Sequence, residues 1–160
     1  MPRPLLFLDV DGTLARFGGQ VPGHEADDGA LARIDRALGP KLAALPCELV
    51  WATAWMEAAN ELVSPWLGLP ALPVVEFRDE PAPRVAAARR LHWKTPDLVA
   101  YAGGRPFVWV DDEVSDDDRA FVAEHHDAPC LLHHVRASLG LTDDDLAAVR
   151  RWLDTLGEHP

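Results

Sequence analysis

Cysteine is scarce in this sequence, which has only Cys47 and Cys130 among its 160 residues. Two cysteines cannot build a disulfide framework, and their spacing matches no zinc-binding pattern. Both are therefore predicted to be free thiols that pack as small apolar side chains.

Long apolar runs are absent as well. No segment approaches the ~20 consecutive apolar residues of a membrane-spanning helix, and the opening stretch MPRPLLFLDVDG reaches acidic residues too early for a secretory signal peptide. Both absences lead us to expect a cytoplasmic protein without a membrane partner.

Basic residues are outnumbered by acidic ones, 15 against 26, which gives a formal net charge of −11 at pH 7. A negative mean field repels other polyanions, so nonspecific binding to nucleic acid or anionic lipid is disfavoured, although a local basic surface is not excluded. Lysine occurs only as Lys41 and Lys94. A lysine within a motif is therefore informative.

Short apolar segments alternate with segments of helical periodicity along the whole chain. The strand-like segments are PLLFLDV, CELVWAT, LPVVEF, RPFVWVDDE and APCLLHHV. The helix-like segments are DDGALARIDRALGPKLAAL, AWMEAANELVSPWLGL, KTPDLVAYAGG, SDDDRAFVAEHH and TDDDLAAVRRWLDTLG. This alternation predicts one α/β domain over residues 1–160, with a parallel sheet and right-handed crossovers.

Polar side chains stand where the predicted strands end. They are Asp9 and Asp11 after the first strand, Thr53 after the second, and Asp111 and Asp112 after the fourth. The carboxyl ends of parallel strands meet at one edge of a sheet, and Lys94 opens the helix before the fourth strand. Several carboxylates at one place need a cation, and an oxygen-rich set suits Mg²⁺.

The same residues supply each part of a phosphoryl transfer. Asp9 can attack phosphorus as a carboxylate nucleophile, and Asp11 can protonate the leaving oxygen and then deprotonate the hydrolytic water. Backbone N–H groups around Val10 and Gly12, with the Thr53 hydroxyl, can hold phosphoryl oxygens, while Lys94 and Mg²⁺ neutralise charge.

Four motifs in this order resemble those of the haloacid dehalogenase (HAD) superfamily. They are DxDGT at residues 9–13, an apolar strand ending in Thr53, Lys94, and an apolar strand ending in Asp111 and Asp112. The resemblance implies a three-layer Rossmann-like core around a five-stranded parallel sheet of order 3-2-1-4-5. In that order the two cysteines lie roughly 14 Å apart, beyond the roughly 7 Å that a disulfide allows between Cα atoms.

The resemblance also assigns roles to individual residues. It implies that Mg²⁺ binds the side chains of Asp9 and Asp112 and the backbone carbonyl of Asp11, and that Asp111 orients Lys94. Ala54 stands in the phosphate-binding turn where glycine is common. The dehalogenase branch lacks the second acid of the DxD pair, so Asp11 favours phosphate chemistry.

The gaps between the motifs leave no room for a cap domain, so the chain resembles capless members of the superfamily. An uncapped site favours a substrate that brings its own surface, such as a nucleic-acid end or another macromolecular phosphate. One alternative is a small-metabolite phosphatase whose site is closed by an oligomer partner, and both a monomer and a dimer remain open. An alternative from another class is a catalytically idle HAD-fold binding or scaffold protein.

A closer resemblance favours the nucleic-acid end. The stretches VWATAWMEAANELVSPWLGLPALPVVEF, HWKTPDLVAYAGGRPFVWVDDE and GLTDDDL look like a subgroup of small bacterial HAD proteins, related to the HAD domain of multidomain RNA-repair proteins. Residues expected to rim the substrate site are Arg16, Trp55, Arg90 and Trp93. The two tryptophans lie next to motifs, where they are candidates to stack on a nucleobase or sugar.

Overall fold

The structure is a computed structural model that describes residues 3–16, 26–77 and 91–157, in which the strands form one parallel sheet. The strands are β1 (Leu5–Leu8), β2 (Glu48–Trp51), β3 (Phe107–Asp111) and β4 (Cys130–His134). They lie in the order β2-β1-β3-β4, and every neighbouring pair is parallel. The predicted α/β fold with a parallel sheet is confirmed.

The central strand β1 is apolar on both faces, and this composition decides where the core lies. All four of its residues are at most 1% exposed. Leu6 and Leu8 pack into one hydrophobic cluster, whereas Leu5 and Phe7 pack into the other. Because side chains alternate across a strand, β1 supplies both halves of the core and ends at its carboxyl edge in polar residues.

The predicted five-stranded sheet is wrong in its strand number, because the segment LPVVEF does not form a strand. Val74 makes only an isolated parallel bridge to Trp51. The Trp51 N–H donates to the Pro73 carbonyl and the Val75 N–H donates to the Trp51 carbonyl, both at 2.9 Å. Proline has no N–H to donate to a ladder, so Pro70 and Pro73 limit this edge to a single bridge.

The helices surround the sheet. They are α1 (Ala26–Ala32), α2 (Leu38–Ala43), a π-helical turn (Ala59–Val63) that runs into α3 (Ser64–Leu67), α4 (Thr95–Ala102), α5 (Asp116–His125) and α6 (Asp143–Gly157). Among the described ranges, no helix combines the length and the apolar character needed to cross a membrane.

Two of the predicted helices differ in detail. The single helix predicted across residues 27–45 is broken between α1 and α2, where Ile34 instead makes an antiparallel bridge to Ala15. The helix predicted across AWMEAANELVSPWLGL consists of the π-helical turn followed by α3, and it continues past Pro65 to Leu67 because proline is tolerated in the first turn of α3. It ends at Gly68, whose φ of 72° is a left-handed cap.

Both cysteines are free thiols, as predicted, with Cys47 buried and Cys130 half-buried. Burial raises the pKa of the Cys47 thiol to about 12. A thiol with so high a pKa is a poor nucleophile, so the packing role fits this residue.

Candidate active site

Carboxylates from two neighbouring strands meet at the carboxyl edge of the sheet. Asp9 directly follows β1 and Asp111 ends β3, and both are buried, whereas Asp112 is half-buried. One oxygen from each of the three lies within 4.8 Å of the others. The parallel pairing of β1 with β3 brings these strand ends together, and the group is called the acid cluster below.

Lys94 is buried against two members of the acid cluster. Its Nζ lies 2.9 Å from Asp9 Oδ1 and 2.9 Å from Asp111 Oδ2, and its side chain is only 3% exposed. Lys94 immediately precedes α4, so the start of this helix carries the ammonium group to the sheet edge. A buried ammonium requires such partners, because an unpaired charge in the interior is strongly destabilising.

Asp111 is held by donors on both of its oxygens. The Trp109 indole N–H donates to Oδ2 at 3.2 Å, and the Glu113 backbone N–H donates to Oδ1 at 3.0 Å. Burial alone would raise the pKa of Asp111, but the charge and hydrogen bond of Lys94, together with the Glu113 N–H, outweigh it and hold the pKa below its ordinary value. Asp111 is therefore a fixed anion, in position for its predicted role of orienting Lys94.

Asp9 and Asp112 have the opposite electrostatics. Burial, reinforced by the charge of Asp111, raises the pKa of Asp9 to about 7 even though Lys94 opposes the shift. Burial is the largest cause that raises the pKa of Asp112 to about 7. The hydrogen bond and charge of Asp111 and the charge of Asp9 act in the same direction. The negative charge at these carboxylates therefore exceeds what the single ammonium group of Lys94 neutralises.

The acid cluster fits a hard divalent cation. Asp9 and Asp112 offer carboxylate oxygens at short range, and a cation would relieve the crowding that raises their pKa. Gly12 packs so tightly here that a Cβ would lie 2.3 Å from Asp112 Oδ2, and its φ is 76°. Only glycine fits at that position. Asp9 and Asp112 are two of the three predicted Mg²⁺ ligands, whereas the third member of the acid cluster is Asp111 and not the predicted Asp11.

Asp11 lies beside the acid cluster and has a partner of its own. The Trp55 indole N–H donates to Asp11 Oδ2 at 3.0 Å, and the Trp55 backbone N–H donates to the Thr53 hydroxyl at 3.2 Å. The sequence predicts Trp55 as a stacking surface, whereas the structure ties its polar edge to the predicted acid and base. A contact between side chains 44 positions apart has no local sequence signal.

Not all of the groups predicted to bind phosphate are available to a ligand. The Gly12 N–H donates to the Ala15 carbonyl at 2.8 Å, so it is already used inside the turn and the prediction that it binds phosphate is not met by this donor. Thr53 is buried at 1% exposure, Val10 is fully buried and Ala54 is exposed. Thr53 and Lys94 remain the best placed of the predicted phosphate-binding side chains.

The predicted rim residues that the structure describes do not contact one another directly. Arg16 is exposed on the turn after Asp11, and Trp93 is 37% exposed with its ring edge-on to Phe77. Arg90 lies outside the described residues. Within the described residues no ring contact or hydrogen bond joins Arg16 to Trp55 or Trp93.

Asp118 is a structural residue of the site that the sequence does not reveal. Its carboxylate is fully buried and accepts from the His92 N–H at 2.9 Å and the Thr95 hydroxyl at 2.7 Å. It also accepts from the Ser115 N–H and hydroxyl in a capping box at the start of α5. These bonds fix the chain on both sides of Lys94. The Ser-x-x-Asp spacing is the only local hint.

A model of one protein family matches residues 5–146, and its description is the HAD domain in Swiss Army Knife RNA repair proteins. No curated protein and no solved structure matches the chain. The matched region contains Asp9, Asp11, Lys94 and the acid pair after β3, so it spans the whole candidate site. The chain therefore belongs to the HAD superfamily, in the family of HAD domains described from Swiss Army Knife RNA repair proteins.

Proposed function

We propose that this protein is a Mg²⁺-dependent phosphomonoesterase that works through an aspartyl-phosphate on Asp9. The observation that carries the proposal is the buried Lys94 Nζ, which lies 2.9 Å from both Asp9 Oδ1 and Asp111 Oδ2. Membership of the HAD superfamily supports a hydrolase, and the acid cluster supports the use of a metal ion.

The first step is attack by an Asp9 oxygen on phosphorus. The bond between phosphorus and the ester oxygen breaks, its electron pair goes to the leaving oxygen, and Asp11 donates a proton there. Lys94 neutralises negative charge at the phosphoryl group, and the Thr53 hydroxyl donates to one phosphoryl oxygen. Since Trp55 holds Asp11 Oδ2, the proton leaves from Oδ1.

The second step is hydrolysis of the aspartyl-phosphate. Asp11, now ionised, takes a proton from a water molecule that attacks phosphorus, and the bond from phosphorus to Asp9 breaks to release inorganic phosphate. Asp9 and Asp112, with the backbone of Asp11, would hold Mg²⁺, which when bound offsets the charge of the phosphoryl oxygens.

The proposed substrate is the phosphorylated end of a nucleic-acid strand. The family description names RNA repair proteins, and the short gaps between the motifs leave no room for a cap domain that would enclose a small metabolite. A strand end brings its own surface to an uncapped site.

The test is phosphate release from a panel with and without Mg²⁺. The panel contains an RNA oligonucleotide with a 3′-phosphate, nucleotides, sugar phosphates and an aryl phosphate. We expect the oligonucleotide to have the highest kcat/KM, and Asp9→Asn to abolish turnover. The matched control is Asp116→Asn, whose carboxylate is exposed at the start of α5 and should leave activity unchanged.

Two results would contradict the proposal in different ways. No turnover on any phosphoester would point to the idle binding protein that the sequence leaves open. A preference for sugar phosphates over oligonucleotides would keep the chemistry but favour the small-metabolite phosphatase.

A further inference from the structure

A cavity of about 270 Å³ lies beside the turn that follows Asp11, and no member of the acid cluster lines it. Its apolar wall consists of Leu14, Ala32, Ile34, Leu38, Leu139 and Leu141. Among the described residues, its charged lining residues are Arg16, Arg33 and Asp35, and we call it the arginine cavity. The volume is close to the ~300 Å³ at which small-molecule pockets begin.

The walls of the arginine cavity are fixed to the DxDGT turn. The Leu141 N–H donates to the Thr13 carbonyl at 2.7 Å, and Ala15 forms a bridge with Ile34. Gly140 has a φ of 67°, and a Cβ there would lie 3.0 Å from Arg16 Cγ. The cavity is therefore part of the fold around the predicted nucleophile and acid, rather than a gap between surface side chains.

Both arginines of the cavity are without a protein partner among residues 3–16, 26–77 and 91–157. The Arg33 Nε–H is buried and has no acceptor. The nearby Asp35 carboxylate accepts the Ala37 N–H at 2.9 Å, whereas Arg36 lies 3.8 Å over the Trp66 ring. A buried donor without an acceptor is unfavourable, so this guanidinium group is suited to an anion that comes from outside.

The arginine cavity is also close to the reacting groups. Asp11 forms a bridge with Ala15, and Arg16 is the next residue, so the Cα atoms of Asp11 and Arg16 are at most about 9 Å apart. A ligand that has one phosphate at Asp9 can therefore bring a second anionic group to Arg16.

We propose that the arginine cavity binds the nucleotide next to the phosphorylated end of a nucleic-acid strand. Its phosphodiester lies against Arg16 and Arg33, and its sugar or base covers the apolar wall. The position of the reacting phosphate rests on the proposed function. A phosphopeptide carries no second phosphate one unit away, so two unpaired arginines in one cavity favour a strand with a phosphodiester beside its end. The net charge of −11 opposes binding of a polyanion elsewhere on the surface, so the attraction must come from this local pair.

Direct binding tests this without turnover. A fluorescein-labelled RNA tetranucleotide that lacks a terminal phosphate is titrated into the wild type, Arg16→Ala and Arg33→Gln, and fluorescence anisotropy is measured. We expect at least tenfold weaker binding by both variants and a salt slope reduced by about one per arginine removed. The matched control Arg36→Ala, which removes an arginine outside the cavity, should bind within twofold of the wild type.

Kinetics then separate the cavity from the catalytic proposal. Arg16→Ala should lower kcat/KM for a dinucleotide with a terminal phosphate at least fivefold more than kcat/KM for an aryl phosphate. Because Arg16 is exposed, this variant decides the outcome even if Arg33→Gln folds poorly.

The outcomes are distinguishable. Aryl phosphatase activity with no tetranucleotide binding, or with equal binding by wild type and Arg16→Ala, would overturn the cavity proposal alone. Arginine-dependent RNA binding without hydrolysis of any phosphoester would support the cavity and overturn the proposed function. Arg16-dependent binding of a phosphopeptide in place of RNA would also overturn the cavity proposal.

Discussion

The turn that follows Asp11 touches the acid cluster through Gly12 and the arginine cavity through Leu14 and Arg16, and the two regions differ in how their charged groups are paired. In the acid cluster, Lys94 is matched by Asp9 and Asp111 inside the protein. In the arginine cavity, Arg16 and Arg33 form no ion pair with any carboxylate in the part of the chain that the structure describes, although Asp35 also lines the cavity. The charges of the acid cluster are therefore paired within the protein, whereas we expect those of the arginine cavity to be paired by a bound ligand.

This difference separates chemistry from recognition. Groups that perform chemistry must be held in place by the fold, and their partners are therefore internal. Groups that recognise a substrate can remain unpaired, because the ligand supplies the counter-charge. Changes to the acid cluster should accordingly affect folding and activity together, whereas changes to the arginine cavity should affect binding.

The largest effect is expected from removing the buried lysine. Lys94→Met leaves Asp111 as a buried anion without its main partner, so it should abolish activity and lower the free energy of unfolding by about 3–5 kcal/mol at pH 8. Urea unfolding and phosphate release measure the two effects. Lys41→Met is the control, because this exposed lysine pairs with Asp143 in solvent and should leave both quantities unchanged. Equal effects of the two variants would contradict the internal pairing.

The next effect concerns the support of Lys94. Asp118→Asn replaces an acceptor oxygen by an NH₂ group that faces donors, so it should cost about 1–3 kcal/mol of stability and reduce activity. Thermal unfolding and kcat measure both. Asp117→Asn changes an exposed neighbour in the same acidic run and should do neither. If the two variants behaved alike, Asp118 would not be the residue that fixes the Lys94 segment.

The fold could be predicted from sequence where the signal is local. Strands β1, β2, β3 and β4 follow from apolar runs, and their order follows from the family resemblance. The prediction of a strand over LPVVEF, the third of the five predicted strands, is wrong because Pro70 and Pro73 remove backbone donors at that edge. The prediction of one continuous helix over residues 27–45 is wrong for another reason. The helical periodicity of the sequence continues between α1 and α2, but in the structure Ile34 forms a bridge with Ala15 there.

The candidate site could be predicted to the extent that parallel strands bring their ends together. The placement of Asp9 beside Asp111 could be predicted from the strand assignments alone, because the parallel sheet brings the ends of these two strands together. The hydrogen bond from Trp55 to Asp11 could not be predicted, because it depends on a tertiary contact that the spacing of the two residues in the sequence does not indicate. Asp118 is one of three consecutive acids in the sequence SDDDR, and only the packing of α5 shows that it is buried.

Metal binding at the acid cluster should depend on pH in a defined direction. The pKa of Asp9 and of Asp112 is raised to about 7, so the metal-free folded state holds more protons than the unfolded state between about pH 4 and 7. These two groups therefore make the metal-free protein less stable as the pH rises through that window, and the loss is complete above pH 7. Mg²⁺ must displace those protons, so it should stabilise the protein more at pH 8 than at pH 5.5.

The measurement is the unfolding midpoint with and without Mg²⁺ at both pH values. Free Mg²⁺ at ten times its dissociation constant should add about 1.4 kcal/mol at pH 8. Asp112→Asn should remove the stabilisation, and Asp116→Asn should keep it. RNA binding at the arginine cavity should lack this dependence, because a guanidinium group keeps its charge throughout this range. Equal stabilisation by Mg²⁺ at both pH values would place the ion elsewhere.

The smallest effect is expected at Trp55, and it tests whether the hydrogen bond from Trp55 to Asp11 contributes to catalysis. Trp55→Phe removes the N–H that holds Asp11 Oδ2, which should lower kcat about fivefold for an alkyl phosphate, corresponding to the roughly 1 kcal/mol of one hydrogen bond. A nitrophenyl phosphate, whose leaving group needs little protonation, should lose less than twofold. Trp66→Phe is the matched control, since its indole N–H donates to the Ile34 carbonyl at 3.0 Å and not to Asp11. Equal losses on both substrates would mean that Trp55 supports the fold around Thr53 rather than the proton transfer by Asp11.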